Sequence, residues 1–394
     1  MNIKTHKLLD VCTIIAGQSP ESKYYNTDGN GIPFFQGKAD FGELYPTIRV
    51  YCSQPTKIAE KDDILLSVRA PVGPTNLAPC KVCIGRGLTA IRPNETLNLK
   101  YLLFYFRFFE AQLQQKGTGT TFKAITQDTI KNLEIPVPSL PEQERIVARI
   151  EELFSELDKS VETLKKTKTQ LTIYRQAVLK EAFDFNGDDI IVTNLNHIIS
   201  VLTDYHANGS YETLKANVTL LDTPDYAIMV RSTNYENNDF SNDVKYINKH
   251  SYDFLKKSQL FGNEVLMGKI GNAGRVYFAK KLDKPMSLAM NMFAMRFIED
   301  VDSKYVYYYL LSPTAKRDIK KYVKGVGTPT IDKKSVRAIN IKYPQSKLLQ
   351  QNIVREIESK LSICDSIEKT VDSTLQQAEA MRQSILKQAF EGGI

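Results

Sequence analysis

The side chains best suited to chemistry sit in a few short runs. Cys80-Lys81-Val82-Cys83 has the spacing of half a zinc knuckle, since two thiolates three residues apart can close on one tetrahedral ion. No second CxxC or HxxxH pair supplies the other two ligands, and the chain holds only 4 His, so ordinary thiols are the simpler reading. Asp204-Tyr205-His206 sets a carboxylate beside an imidazole, the beginning of a relay that activates a nucleophile. No nucleophile can be tied to it from sequence, and a surface loop is the commoner origin of such a run. Pro224-Asp225 followed by Asp243-Val244-Lys245 matches a loose pattern in which carboxylates hold Mg²⁺ and activate water. It occurs only in the second half of the chain, and so loose a pattern arises often by chance. Gly31 to Lys38 and Gly262 to Lys269 resemble phosphate-cradling loops, but each has one residue too many between its glycines. Ala39 and Ile270 also stand where Ser or Thr is needed. Gly117/Gly119 and Gly325/Gly327 open no GxGxxG fingerprint and fit flexible turns that touch phosphate through backbone N–H. Asn-Pro and Asp-Pro dipeptides are absent, so the chain lacks the Asn-Pro-Pro-aromatic loop that holds a flipped adenine during amino-methylation. The expectation is a chain with no catalytic residue, metal or cofactor of its own.

Binding is the better reading. The 394 residues, 42% hydrophobic and 25% charged, suit two or three ordinary domains. Five cysteines read as free thiols, and no apolar run approaches the ~18 residues of a membrane span; a cytoplasmic protein is expected. The net charge of +7 is unevenly distributed. Residues 1–141 carry 16 Lys+Arg against 12 Asp+Glu, and residues 184–346 carry 22 against 18, whereas the two stretches between and after them are near neutral. Two basic blocks separated by neutral ones suit two contacts to a polyanion.

The elements that carry these blocks are written twice. Shifting the chain by 207 positions superimposes residues 143–183 on 350–390 with 16 identities in 41 ungapped pairs. VLKEAF (Val178 to Phe183) returns as ILKQAF (Ile385 to Phe390). Both copies show a seven-residue repeat: Ile150, Leu157, Leu164, Leu171 and Val178 in the first, and Ile357, Cys364, Val371, Ala378 and Ile385 in the second. A second row holds Ile146, Leu153, Ser160, Thr167 and Tyr174, then Ile353, Lys360, Ile367, Thr374 and Met381. These rows are the a and d positions of a coiled coil. At ~1.5 Å per residue each helix is a rod on the order of 60 Å. The helices either pair with each other as an antiparallel spacer or pair with another chain. Upstream, KGTGTTFKAI (Lys116 to Ile125) echoes KGVGTPTI (Lys324 to Ile331), KYLLFYF echoes KYVYYYL, and DDILLSVRAPVG (Asp62 to Gly73) echoes NEVLMGKIGNAG (Asn263 to Gly274). Short β-branched and aromatic runs between Gly and Pro turns predict strand-rich halves. The fold class expected is α+β: two mixed α/β domains, 1–141 and 184–346, each followed by a long helix, 142–183 and 347–394, with pseudo-two-fold internal repetition.

A two-fold molecule with two basic heads matches duplex DNA, whose half-sites lie at fixed helical spacing. At this point IPVPSLPEQERIVARIEELFSELD, its helix end YRQAVLKEAF, the reprise in LLQQNIVREIE and QSILKQAF, and DYHANGSYE (Asp204 to Glu212) carry a resemblance. They resemble the specificity subunit of type I restriction-modification systems, over essentially the whole chain. The resemblance implies two target recognition domains, each reading one part of a bipartite, asymmetric double-stranded DNA site, with the helices setting the unread gap. It also implies docking of two adenine-N6 methyltransferase subunits and, through them, restriction and translocase subunits. S-adenosylmethionine, ATP and Mg²⁺ are then expected on those partners, and no membrane is involved. Two other readings stay open: a nuclease using Asp225, Asp243 and Lys245, and a coiled-coil scaffold for proteins.

Base reading needs Arg or Lys for guanine and Asn or Gln for adenine, with lysines and hydroxyls on phosphates. The candidates in the first half are Gln36, Lys38, Arg69, Arg86 and the loop with Lys116, Thr118, Thr120 and Lys123. Those in the second are Tyr205, Asn208, Arg231, Asn234, Lys269, Asn272, Arg275 and the loop with Lys324, Thr328 and Thr330.

Overall fold

The computed structural model describes residues 4–117 and 124–391. Thr118, Thr120 and Lys123 lie outside the described residues. The chain divides into two compact units, Met1–Lys165 with Asp372–Ile394, and Lys166–Val371. Each unit therefore contains one head and a portion of both long helices.

In unit 1 the runs of β-branched and aliphatic residues form a four-stranded antiparallel sheet in the order Cys12–Ala16, Leu88–Pro93, Ile64–Ser67, Thr75–Leu77. Ile64, Leu65 and Leu66 are completely buried, as expected of a strand covered on both faces. A five-stranded mixed sheet of shorter strands runs in the order Tyr25–Asn26, Tyr51–Cys52, Ile32–Phe35, Val82–Ile84, Ile58–Ala59, with its third and fourth strands parallel. Thr5–Lys7 pairs with Glu134–Pro136 to close the head. The helix Leu99–Lys116 covers the antiparallel sheet, capped by the Asn98 side chain on the N–H groups of Lys100 and Tyr101.

Unit 2 repeats this plan. Its antiparallel sheet has the order Ile199–Asp204, Met292–Phe297, Val265–Gly268, Val276–Phe278. Its mixed sheet has the order Lys245–Ile247, Ala227–Val230, Met286–Leu288, Gln259–Leu260, with the middle two parallel. Ile190–Asn194 pairs with Asn340–Pro344. The repetition extends to single residues. Asp62 and Asn263 both take φ of 68° at the same turn. One residue on, the buried carboxylates Asp63 and Glu264 pair with Arg92 at 2.7 Å and Arg296 at 3.1 Å. The covering helix of unit 2 is broken where that of unit 1 continues. Ser303–Leu311 ends, and Pro313–Tyr322 starts anew with Ser312 as its cap, because Pro313 offers no N–H and disfavours a helical residue before it.

The long helices span Leu140–Ala182 and Lys347–Glu391. At the start of each, a buried Gln ties helix to head. Gln143 accepts from the Asn98 N–H and donates to the Thr96 and Pro138 carbonyls. Gln350 does the same with Asp302, Asp300 and Pro344. In unit 1 the far end of the second helix returns to the head: Phe390 packs on Tyr101, Tyr105 and Phe108, and Arg382 pairs with Asp158. In unit 2 the far end of the first helix plays this part. Phe183 meets Tyr305 and Tyr309 edge-on, while Arg175 pairs with Asp365 at 2.7 Å and Glu368 at 2.8 Å, and Glu181 lies 3.8 Å from Lys360. Within unit 2 the two helix segments thus run antiparallel.

The heptad rows differ from an even a/d seam. Ile150, Leu171, Val178, Ile357, Cys364, Val371, Ala378 and Ile385 of the first row are buried. In the second row Ile146 is buried but Tyr174, Ile367 and Met381 are exposed. The neighbouring positions Val147, Val354, Leu179, Leu386 and Ala389 are buried instead, and Phe154 meets Phe104 of its head. The apolar stripe is rotated because each helix must cover a head as well as lie along its neighbour. Among the described residues no helix is long and apolar enough to cross a membrane.

Candidate nucleic-acid interface

In head 1 the sheet topology brings Gln36 and Arg86 to one cleft of about 460 Å³, lined also by Ser19, Tyr25 and Phe34. The Gln36 amide and the Ser19 hydroxyl are 2.9 Å apart, and the Arg86 N–H donates to the same hydroxyl at 3.3 Å. The Arg86 side chain is exposed at the mouth of this cleft. Arg69 is exposed and its backbone bridges Ala124. Lys38 stands elsewhere, on a second cleft with Arg107, Glu110 and Arg382. Burial pushes the Glu110 carboxyl up, with Lys38 pulling it back, and burial lowers Arg107, whose guanidinium donates to the Glu43 carbonyl at 2.8 Å. Lys116 is exposed at the end of its helix.

In head 2 the two loops carrying most of the candidates are laced together. Lys324 and Thr330 exchange backbone hydrogen bonds at 2.9 and 2.8 Å, closing a hairpin that exposes Lys324, Thr328 and Thr330. The Gly271 N–H donates to the Pro329 carbonyl and the Ile331 N–H to the Lys269 carbonyl, which fixes the hairpin on the loop after Val265–Gly268. That loop turns at Gly271 and Gly274, with φ of 78° and 80°, conformations that favour glycine. Asn272 and Arg275 both reach Glu236. Tyr205 and Arg231 share a cleft of about 220 Å³ with Met229, Met290, Met292 and Lys245.

Several residues have other tasks than the sequence suggested. Asn234 is 3% exposed; its side chain accepts from the Arg231 N–H and donates to the Asp239 carbonyl, so it caps a short helix and is withdrawn from any base. Asn208 is likewise engaged internally, donating to the Tyr205 carbonyl and the Ser258 hydroxyl and accepting from the Lys257 N–H. Asp204 belongs to the interior: it is 4% exposed and pairs with Lys269 and Lys333. Burial opposes its ionisation, but the two lysines outweigh that and hold the carboxyl below its ordinary value. Sequence reading missed Lys333, whose only local signal is its place just after the helix cap Asp332. Asp243 pairs with Arg231 and Lys245 with Asp222, so Asp243 and Lys245 of the nuclease pattern are drawn to separate partners. Among the described residues no group of three or more His, Cys, Asp and Glu is placed to hold a metal. Cys83 packs with Cys52 and Phe34 in the mixed sheet, and its thiol is raised chiefly by burial.

The chain matches the model of the type I restriction modification DNA specificity domain twice, over residues 2–172 and 204–377. Among curated relatives, a putative type I restriction enzyme MjaX specificity subunit of Methanocaldococcus jannaschii is 41% identical over 42% of this chain and 38% of its own length. The chain's match thus spans well under half of that relative. The type I restriction enzyme StySPI specificity subunit of Salmonella potsdam is 22% identical over 90% of this chain and 80% of its own length. A solved HsdS subunit from Thermoanaerobacter tengcongensis is 49% identical over 39% of this chain and 37% of that chain, with a TM-score of 0.36. Two copies of one domain, each matched in sequence and each built on a four-stranded antiparallel sheet beside a mixed sheet, place the chain in the type I restriction modification DNA specificity domain family.

Proposed function

We propose that the chain is the sequence-choosing, non-catalytic subunit of a type I restriction-modification complex, in which each head reads one half of a bipartite, asymmetric DNA site. The observation that carries this reading is the duplicated head: one framework, two different loop sets, each with an exposed basic and polar surface. Direct readout requires such variable side chains on a rigid scaffold. The exposed apolar residues of the helices, Ile173, Tyr174, Ile363 and Ile367 in unit 2 and Met381 in unit 1, support docking of two methyltransferase subunits, through which restriction and translocase subunits join. Adenine-N6 methylation and cleavage, with S-adenosylmethionine, ATP and Mg²⁺, belong to those partners in a cytoplasmic complex.

Replacing residues 184–346 with the corresponding segment of a relative tests the reading. Half of the methylated motif is expected to change and the other half to persist; a change in both halves contradicts it. The nuclease reading makes the opposite demand, Mg²⁺-dependent cleavage by the isolated chain that Asp243→Ala abolishes. The scaffold reading demands an assembled complex that shows no competitor-resistant DNA binding.

A further inference from the structure

Head 2 contains an ionic cluster for which head 1 has no counterpart. Asp204 ends an edge strand, and its two carboxylate oxygens accept from Lys269 Nζ and Lys333 Nζ, both at 2.8 Å. Lys269 begins the loop that continues to Arg275, with its ammonium 5.5 Å from the Phe293 ring centre. Lys333 is the first residue of the helix that follows the Lys324–Thr330 hairpin. The carboxylate therefore ties together both loops that carry the exposed candidates.

The sheet register identifies the equivalent positions in head 1. Asp204 lies opposite Phe293 as Ala16 lies opposite Thr89. The Lys269 carbonyl accepts from the Ile331 N–H as the Val68 carbonyl accepts from the Ile125 N–H. Lys333 follows the cap Asp332 as Gln127 follows the cap Thr126. Ala16, Val68 and Gln127 thus replace all three charged residues together. Head 1 laces the same segments with neutral side chains, so the framework does not require the cluster.

One carboxylate against two ammonium groups leaves the cluster with an excess positive charge. Each ammonium has three N–H donors and gives one to Asp204. Two ammonium groups held on the two oxygens of one carboxylate are close enough to share an anion, and a phosphodiester is the anion that a DNA-reading head meets. We propose that Lys269 and Lys333 form a phosphate-binding site for one phosphodiester of the DNA at head 2, and that Asp204 is its positioning residue. The proposal rests on the DNA-reading function proposed above. A contact of this kind sets the register of the head on the duplex and leaves base choice to its neighbours.

The test uses the full chain assembled with its proposed methyltransferase partner, and measures binding to a duplex bearing the wild-type motif across a salt series. Asp204→Ala/Lys269→Val/Lys333→Gln copies head 1 and removes the cluster without leaving an unpaired charge. Its plot of log affinity against log salt is expected to be shallower by about 1, the loss of one phosphate contact, with the head 1 half-site still read. Lys333→Gln alone, at a partly exposed position, is expected to lose a similar slope. Asp204→Asn separates positioning from simple attraction: it adds one positive charge, yet weaker binding is expected because the lysines lose their anchor. An unchanged slope in the triple variant, or tighter binding by Asp204→Asn, overturns the proposal. Failure of the wild-type complex to prefer its motif would overturn instead the function on which it rests.

Discussion

Gln350 shows how much of this molecule hangs on single buried polar groups. Its amide meets one N–H and two carbonyls at the junction of head and helix. Truncation strands all three, at about 1–3 kcal/mol for a buried group left unmet. Gln350→Ala is expected to lower stability by ~2–4 kcal/mol in urea unfolding, and Gln143→Ala to do the same in unit 1; an effect under about 0.5 kcal/mol would deny them this role. Asp204 adds a dependence on acid. Because its folded pKa lies below the ordinary 3.8, its stabilisation is fully present above that value and lost as pH falls through the lower one. Unit 2 is expected to weaken below about pH 4, and Asp204→Asn to flatten that part of the stability profile. Neither the burial of Asp204 nor its partners could be read locally, since Lys269 and Lys333 lie 65 and 129 residues away in sequence. Gln143 and Gln350 were visible as an aligned pair, but a repeat does not reveal what a side chain touches.

The elements were more legible. Seven-residue apolar spacing and the doubled helix end announce the two long helices, and the Gly-punctuated β-branched runs announce strands in each head. The rotated stripe could not be anticipated, because periodicity locates a face without saying how many neighbours share it. The mixed sheets also escaped reading, since strands as short as Tyr51–Cys52 and Gln259–Leu260 carry too little alternation to stand out. The repeated terminal phenylalanines now have a mechanical reading: each helix ends by packing on the covering helix of a head. Phe183→Ala removes the ring that meets Tyr305 and Tyr309 and is expected to cost unit 2 about 3–5 kcal/mol. Hydrogen exchange should show increased opening in Ser303–Leu311, whereas unaltered protection there would mean that the ring is dispensable.

At the scale of the whole molecule, the proposed division of labour makes helix length a variable independent of base choice. Inserting one heptad into each long helix adds ~10 Å of rod. The unread gap of the methylated motif is expected to lengthen while both half-sites persist; a constant gap would mean that the helices do not set it. The central claim, that this chain chooses the site at which a partner acts, is tested most directly by modified-base sequencing. DNA from cells co-expressing the chain and its proposed methyltransferase partner would be compared with DNA from cells lacking the chain. The account predicts N6-methyladenine in a split, asymmetric motif that disappears when the chain is absent. The same methylation pattern with and without the chain would contradict it.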